Sequence, residues 1–229
     1  MRRRPAVNTL SSKAHSATLF PLFLKLDGKQ CLVVGAGPIG LEKVESLLRC
    51  GPLLRVIAPQ AVDRIQQLHA EQQLDWCART WTPADVAGYD LIIAATNDRE
   101  VNRAVFEEAS RQSILCNTAD DPPLCDFFFG SIVQRGDLQI AISTAGESPA
   151  VAQGLRRTLE NELPTDLGQW LAELGQLRRE VLQAMPAGAE RKALLHALAH
   201  REVCALPECP ARAHAAEVAS KFASEVPHR

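Results

Sequence analysis

The segment Gln30–Lys43, QCLVVGAGPIGLEK, narrows the folds open to this chain more than any other. Cys31, Leu32, Val33 and Val34 form a short apolar run. Gly35, Gly37 and Gly40 follow as G-x-G-x-x-G, and a helical pattern begins there. A strand, a tight glycine turn and a helix start in this order hold a dinucleotide pyrophosphate. Gly35 permits the turn, Gly37 lets the backbone approach the phosphates, and Gly40 lets helix and strand pack closely. The free N–H groups of the helix start meet the anion. The alternative for the same residues is a glycine turn that serves structure alone.

The flanking chain continues the theme. Residues 38–49 read as the first helix, with a partial apolar stripe of Ile39, Val44, Leu47 and Leu48. Strands are expected at 53–58, 74–79, 89–95 and 113–117. Helices are expected at 62–71 and 101–110, with a helical turn at 83–86. Strands alternating with helices at this spacing imply a mostly parallel sheet with helices on both faces. The apolar run Leu19–Leu26 is expected to pack beside the first core strand.

A standard NAD fold ends its second strand on an acidic residue for the ribose. Here that strand ends in Ala58–Pro59–Gln60, with Asp63 placed in the following helix. Gln60 or backbone groups are left for the ribose. Arg55 lies inside the strand, away from any 2′-phosphate, so NAD is the expected cofactor. The fourth strand exits through Ala95–Thr96–Asn97–Asp98, where small residues let a cofactor pass. Asn97 and Asp98 are open to two roles, ligand contact or capping of the next helix.

Past Asn117 the composition changes. Asp120–Asp121–Pro122–Pro123 is a rigid acidic turn, and on residues alone Asp120 suits either a turn or a catalytic carboxylate. Two short strands flank Arg135–Gly136–Asp137 as an antiparallel pair. Ser148 and Pro149 open a helix as N-cap and first residue. Val151, Leu155, Leu159 and Leu163 form its broad apolar face, with Arg156 and Arg157 elsewhere. From Asp166 onward the pattern is helical: a stripe of Leu167, Trp170, Leu171, Leu174, Leu177 and Val181, then Leu194, Leu195 and Leu198, then a last helix at 211–226. Cations of this region, including Arg178, Arg179, Arg191, Lys192 and Arg201, are either solvated surface or a rim for an acidic ligand.

Composition excludes other classes. The chain has 229 residues and 46% hydrophobic content, enough for more than one domain. Its formal net charge of −2 argues against a nucleic-acid surface. No run of about 18 apolar residues suggests a membrane span. Seven scattered cysteines without disulfide-like spacing suit a reducing cytoplasm. No tight metal motif is present. His200, Cys204, Cys209 and His214 form only a loose cluster with irregular spacing, and His196 and His200 share a helix face.

The chain resembles the bifunctional precorrin-2 dehydrogenase and sirohydrochlorin ferrochelatase family. This is the amino-terminal half of bacterial sirohaem synthase, which also occurs as a stand-alone protein. The resemblance rests on FPLFLKLDGKQCLVVGAG at 20–37, Lys43, AATND with Val101 and Asn102, CNTADDPP at 116–123, and GDLQIAISTAGESP at 136–149 leading into VAQGLRRTLE. It covers residues 19–165. Beyond 165 it rests on helical layout and a GQLR-type segment.

The polar residues 1–18, with Arg2, Arg3, Arg4 and Lys13, read as a flexible tail, an organelle-targeting peptide being the weaker alternative. The resemblance implies a Rossmann-like NAD-binding domain over 19–129, a small α+β dimerisation region over 130–164, and a helical domain over 165–229 that closes a tetrapyrrole cleft. It implies a homodimer that oxidises precorrin-2 to sirohydrochlorin with NAD and then inserts Fe2+ as a second substrate. Asp120, the aspartate of its CN-x-x-D segment, is implied as catalytic. Cofactor contacts carry over to Gly37, Pro38, Ile39, Pro59 and Gln60, beside Gly35 of the glycine motif and Thr96 of the fourth-strand exit from the residues alone, and no resident metal is expected. Arg156 and Arg157 are the expected partners of substrate carboxylates. The modified serine of some relatives aligns with Thr144, and Ala145 replaces a glycine beside it. The rival readings are a dehydrogenase without chelatase activity and a non-catalytic NAD-binding regulatory module.

Overall fold

The computed structural model describes residues 18–199. The chain divides into two units between Phe128 and Phe129. The tail over 1–17, Arg201, the cluster of His200, Cys204, Cys209 and His214, and the expected last helix lie outside the described residues.

The first unit is a five-stranded parallel sheet. Its strands are β1 (Gln30–Val34), β2 (Leu53–Ile57), β3 (Asp75–Cys77), β4 (Leu91–Ala94) and β5 (Leu115–Thr118). They lie in the order β3-β2-β1-β4-β5. Helices α1 (Pro38–Leu48), α2 (Asp63–Ala70) and α3 (Arg99–Arg111) make the crossovers. The central strands are apolar at nearly every position, because parallel strands covered on both faces have no wet side. Val33, Val56 and Ile93 belong to the core beneath α1 and α2, and Leu32, Ile92 and Cys116 to the core beneath α3. The expected strand and helix order is present, with ends displaced by one to three residues.

A 3₁₀ turn at Pro83–Val86 precedes β4. Asp85 accepts from the Thr82 N–H at 2.8 Å and receives both Arg79 nitrogens, at 2.7 and 2.6 Å. The Arg79 guanidinium, aided by Thr82, holds the Asp85 carboxyl down at about 2. A depressed carboxyl stabilises the fold above its ordinary value of 3.8, and that contribution is lost as pH falls through 2. Asp85→Asn is therefore expected to lower the melting temperature at pH 7. The gap to the parent should narrow as pH falls from 4 to 2, measured by calorimetry.

The second unit starts with an antiparallel hairpin, β6 (Ser131–Arg135) and β7 (Leu138–Ile142), in the register Ser131↔Ile142 to Arg135↔Leu138. Helices α4 (Pro149–Glu162), α5 (Leu167–Ala184) and α6 (Ala189–Ala199) follow. Ser148 caps α4, its Oγ accepting from the Val151 N–H at 3.3 Å, with Pro149 as first residue. Gly168 of α5 lies against the Arg135–Gly136 turn. A Cβ there would sit 2.6 Å from the Gly136 nitrogen, so a bare backbone is what lets helix and hairpin meet. Val181 and Leu198 centre the α5–α6 core, joined by Leu174, Leu177, Leu194 and Leu195.

Two packing expectations are corrected. The run Leu19–Leu26 does not pack as a whole beside β1. Leu26 is buried, while Phe20 is 84% and Phe23 68% exposed. Only the residue next to the Asp27–Gly28 turn is drawn under the sheet. On α4, Val151 and Leu155 are 54% and 49% exposed, and Ala152 is the buried residue. The helix meets β6 along the line of its small side chain, which turns the larger apolar residues outward.

Candidate functional site

Register places the predicted residues of the first unit on one rim. Val34 pairs with Ile57 and with Ala94, and Ala94 pairs with Thr118. Four strands therefore end level, and their exits begin at Gly35, Ala58, Ala95 and Ala119. Open α/β sheets take ligands at this carboxyl edge. Gly35, Gly37, Pro38, Ile39, Pro59, Gln60, Thr96 and Asp120 all belong to it.

Gly35 and Gly40 take the turn and packing roles expected of them. Gly35 has φ +108°, and a Cβ on it would lie 2.6 Å from the Ala95 carbonyl carbon. Turn and β4 exit thus touch backbone to backbone. A Cβ on Gly40 would strike the Gly35 carbonyl oxygen, so α1 sits directly on the turn. Gly37 differs. It has φ −81°, it is the N-cap of α1, and a Cβ there meets nothing within 4 Å. No side chain caps α1 and no acidic residue stands in its first turn. The first-turn N–H groups of α1 therefore have no capping side chain, and the space beside Gly37 suits an anion. This is a fit for the pyrophosphate of a dinucleotide. Pro38, Ile39, Pro59 and Gln60 are exposed around it.

The β4 exit resolves the two roles left open there. Asp98 is the N-cap of α3, its Oδ1 accepting from the N–H groups of Glu100 at 2.9 Å and Val101 at 3.3 Å. Thr96 is tied to Asn102. Its N–H donates to Asn102 Oδ1 at 3.0 Å, its hydroxyl lies 2.7 Å from the same oxygen, and its carbonyl accepts from Asn102 Nδ2 at 3.0 Å. The Thr96 hydroxyl thus shapes the rim from within. Asn102, buried in α3, is a positioning residue that periodicity alone passes over. Its signal is a polar residue one turn after the capping Asp98.

Asp120 has φ +57° and is exposed. Asp tolerates this left-handed conformation better than most residues. The carboxylate has no hydrogen bond or ion pair among the described residues. The loop beneath it is pinned by Cys125. That thiol lies 3.2 Å from the Thr118 carbonyl and 3.4 Å from the Asp121 carbonyl, and accepts from the Thr118 N–H at 3.3 Å. Asn117 Nδ2 donates to the Phe127 carbonyl at 2.8 Å. The Cys116 N–H donates to Asp126 Oδ2 at 3.1 Å, and its carbonyl accepts from the Asp126 N–H at 2.8 Å. The chain thus leaves β5, presents Asp120, and returns alongside the same strand. Burial pushes the Cys125 thiol up, and the Cys116 thiol up to about 12. Both are held as thiols, Cys116 as a packing group and Cys125 as the pin of the loop.

Arg156 and Arg157 belong to the second unit. Arg156 Nη1 is 2.5 Å from Glu160 Oε1, one turn along α4, and Arg157 is exposed. Among the described residues no group of His, Cys, Asp and Glu can hold a metal ion, and no helix is long and apolar enough to cross a membrane.

Known proteins bear on this geometry. Residues 22–131 match the family described as "Putative NAD(P)-binding", and residues 135–162 match "Sirohaem biosynthesis protein central". Siroheme synthase of Photorhabdus laumondii is 39% identical over 172 residues, covering 75% of this chain and 37% of that protein. Siroheme synthase 1 of Yersinia enterocolitica is 40% identical over 172 residues, covering 75% and 36%. The chain therefore spans little more than a third of the length of these relatives. The solved structure of SirC, precorrin-2 dehydrogenase, matches with a TM-score of 0.76 over 89% of this chain and 100% of that one. At 23% identity it speaks for the fold. Over three quarters of its length the chain is similar to siroheme synthases, it shares the fold of the solved dehydrogenase, and its first unit matches a family of NAD(P)-binding domains.

Proposed function

We propose that this protein oxidises precorrin-2 to sirohydrochlorin with NAD+, and then inserts Fe2+ into the product. The observation that supports this most is the place of Asp120. It is an exposed carboxylate in a pinned loop, on the same sheet rim as the open N-terminus of α1. The names of the siroheme synthases and of the solved dehydrogenase agree with it.

Dehydrogenation removes a hydride from one macrocycle carbon and a proton elsewhere. Bound NAD+ supplies the hydride acceptor. The chain's own residues do the rest. The α1 N–H groups and the space at Gly37 hold the pyrophosphate. Thr96 and Asn102 keep the β4 exit in shape. Asp120 takes the proton. Iron insertion replaces two ring N–H protons by Fe2+, and a carboxylate beside the ring accepts protons and attracts the incoming cation. Arg156 and Arg157 bind substrate carboxylates. Arg156→Ala is expected to weaken tetrapyrrole binding about tenfold and to leave NAD binding unchanged. Titration of each ligand checks this, and equal tetrapyrrole affinity in parent and variant would sink the role. The protein works as a homodimer, for which the outward Val151 and Leu155 of α4 and the exposed Ile132 of β6 are the apolar surface on offer.

The test is anaerobic incubation with precorrin-2 and NAD+, following the tetrapyrrole spectrum, and then addition of Fe2+. The expected result is conversion to sirohydrochlorin and an enzyme-dependent second change with iron. Conversion without the second change limits the protein to dehydrogenation. No conversion, with NAD still bound, makes it a regulatory NAD-binding module.

A further inference from the structure

The Ala58 carbonyl is the first acceptor past β2, and the sheet supplies no donor for it. Register pairs Ile57 with Cys77, and the Ala58 N–H donates to the Cys77 carbonyl at 3.2 Å. One step further along a parallel ladder, the Arg79 N–H would donate back to the Ala58 carbonyl. The chain turns away there instead, and the Arg79 N–H donates to the Cys77 carbonyl at 2.9 Å. A side chain takes over. The Trp76 indole Nε1 donates to the Ala58 carbonyl at 3.1 Å. Ala58 is 5% exposed, so its carbonyl has little water to turn to.

Trp76 is itself held at both ends. β3 is the outer strand of the sheet, and the Trp76 N–H faces away from β2. His69 Nδ1 of α2 accepts that N–H at 3.1 Å, and the two rings meet edge to face, 6.2 Å apart at 88°. The indole is half-buried against the core beneath α1 and α2.

The indole contact sets the direction of the chain. The Ala58 oxygen lies in the plane of the peptide bond to Pro59, and the proline ring fixes the φ that follows. Holding one oxygen therefore fixes how the chain enters Gln60. The far side of the loop is tethered too. The Ala61 carbonyl accepts from Gln66 Nε2 at 2.7 Å, and the Val62 N–H donates to the Ala36 carbonyl of the glycine turn at 3.0 Å. Pro59 and Gln60 stand exposed between the two tethers, at the strand exit where dinucleotide folds receive the adenosine ribose.

We propose that Trp76 is a positioning residue of the dinucleotide site. Its indole N–H replaces the missing ladder donor and holds the Ala58–Gln60 exit in the shape that receives the adenosine ribose. It acts through Ala58 and not by contact with the cofactor. This role rests on the dinucleotide reading of the first unit and not on the tetrapyrrole chemistry, so its assays contain no tetrapyrrole.

Trp76→Phe in the full chain keeps an aromatic ring against the core and deletes the N–H. NAD and ADP-ribose, titrated by calorimetry well below the melting transition, should each bind about five- to tenfold more weakly than in the parent. Nicotinamide mononucleotide, which lacks the adenosine half, should bind parent and variant alike. A role confined to packing would lower the melting temperature and leave ADP-ribose affinity unchanged, and that result overturns the proposal. So does an equal loss for nicotinamide mononucleotide, which marks a general disturbance. A second measurement needs no change at position 76. Isotope-labelled tryptophan gives indole N–H resonances from Trp76, Trp81 and Trp170, which Trp81→Phe and Trp170→Phe assign. ADP-ribose should shift the Trp76 resonance of the parent. A Trp76 resonance that ADP-ribose leaves in place overturns the proposal. Absence of precorrin-2 turnover in a parent that shows these effects counts against the proposed reaction and leaves the role of Trp76 standing.

Discussion

Replacing Asp120 with Asn is expected to lower precorrin-2 turnover by about 10²- to 10⁴-fold, the usual share of a positioned acid–base group. The substitution is chosen for the backbone. Asp120 has φ +57°, and Asn is among the few residues that accept that region readily. Alanine would add left-handed strain of about 1 kcal/mol and blur the result. Among the described residues the carboxylate has no partner to lose, so stability should stay within about 0.5 kcal/mol of the parent. NAD affinity should also hold, because the pyrophosphate end of the site is built from α1. Single-turnover oxidation under anaerobic conditions is the measurement. Turnover within about threefold of the parent would remove Asp120 from the chemistry. A loss of iron insertion in the same variant would tie both reactions to one carboxylate.

The second large effect separates two glycines of one motif. Gly35→Ala is expected to destabilise the fold by about 3–5 kcal/mol. The residue has φ +108°, and its new methyl would press on the Ala95 carbonyl group and lie 2.8 Å from the Thr96 nitrogen. Neither partner is a flexible side chain, so strands must part. The melting temperature should fall by about 10 °C. Gly37→Ala should melt like the parent, since nothing lies within 4 Å of its Cβ and its φ is −81°. It should nevertheless lose about 100-fold in NAD affinity, because the methyl occupies space the pyrophosphate needs. Calorimetry and NAD titration on both variants check this. Equal NAD affinity in the parent and Gly37→Ala would mean that the pyrophosphate lies elsewhere.

The parallel sheet was legible because its information is local. Cys31–Val34 and Leu91–Ala94 are apolar runs closed by small residues, and such runs point to strands buried on both faces. Capping was legible in kind but not in detail. Asn97 and Asp98 are equally good caps by type, and only the Asp98 contacts with Glu100 and Val101 decide between them. The clamp under Asp120 was hidden, since Cys125 acts on Thr118 and Asp121 across a loop whose return no periodicity records. Leu19–Leu26 misled because apolar content says how favourable burial is, but not whether a partner surface is within reach.

The return of the chain along β5 has a consequence for engineering. β5 is the outermost strand on its side of the sheet, and its unpaired backbone groups would otherwise be open to another chain. The Cys116–Asp126 hydrogen bonds and the Asn117–Cys125 bridge cover that border. The loop that carries Asp120 is therefore also the guard of the sheet. Shortening it to reshape specificity would uncover a strand template and invite self-association, so redesign there should proceed by substitution rather than deletion.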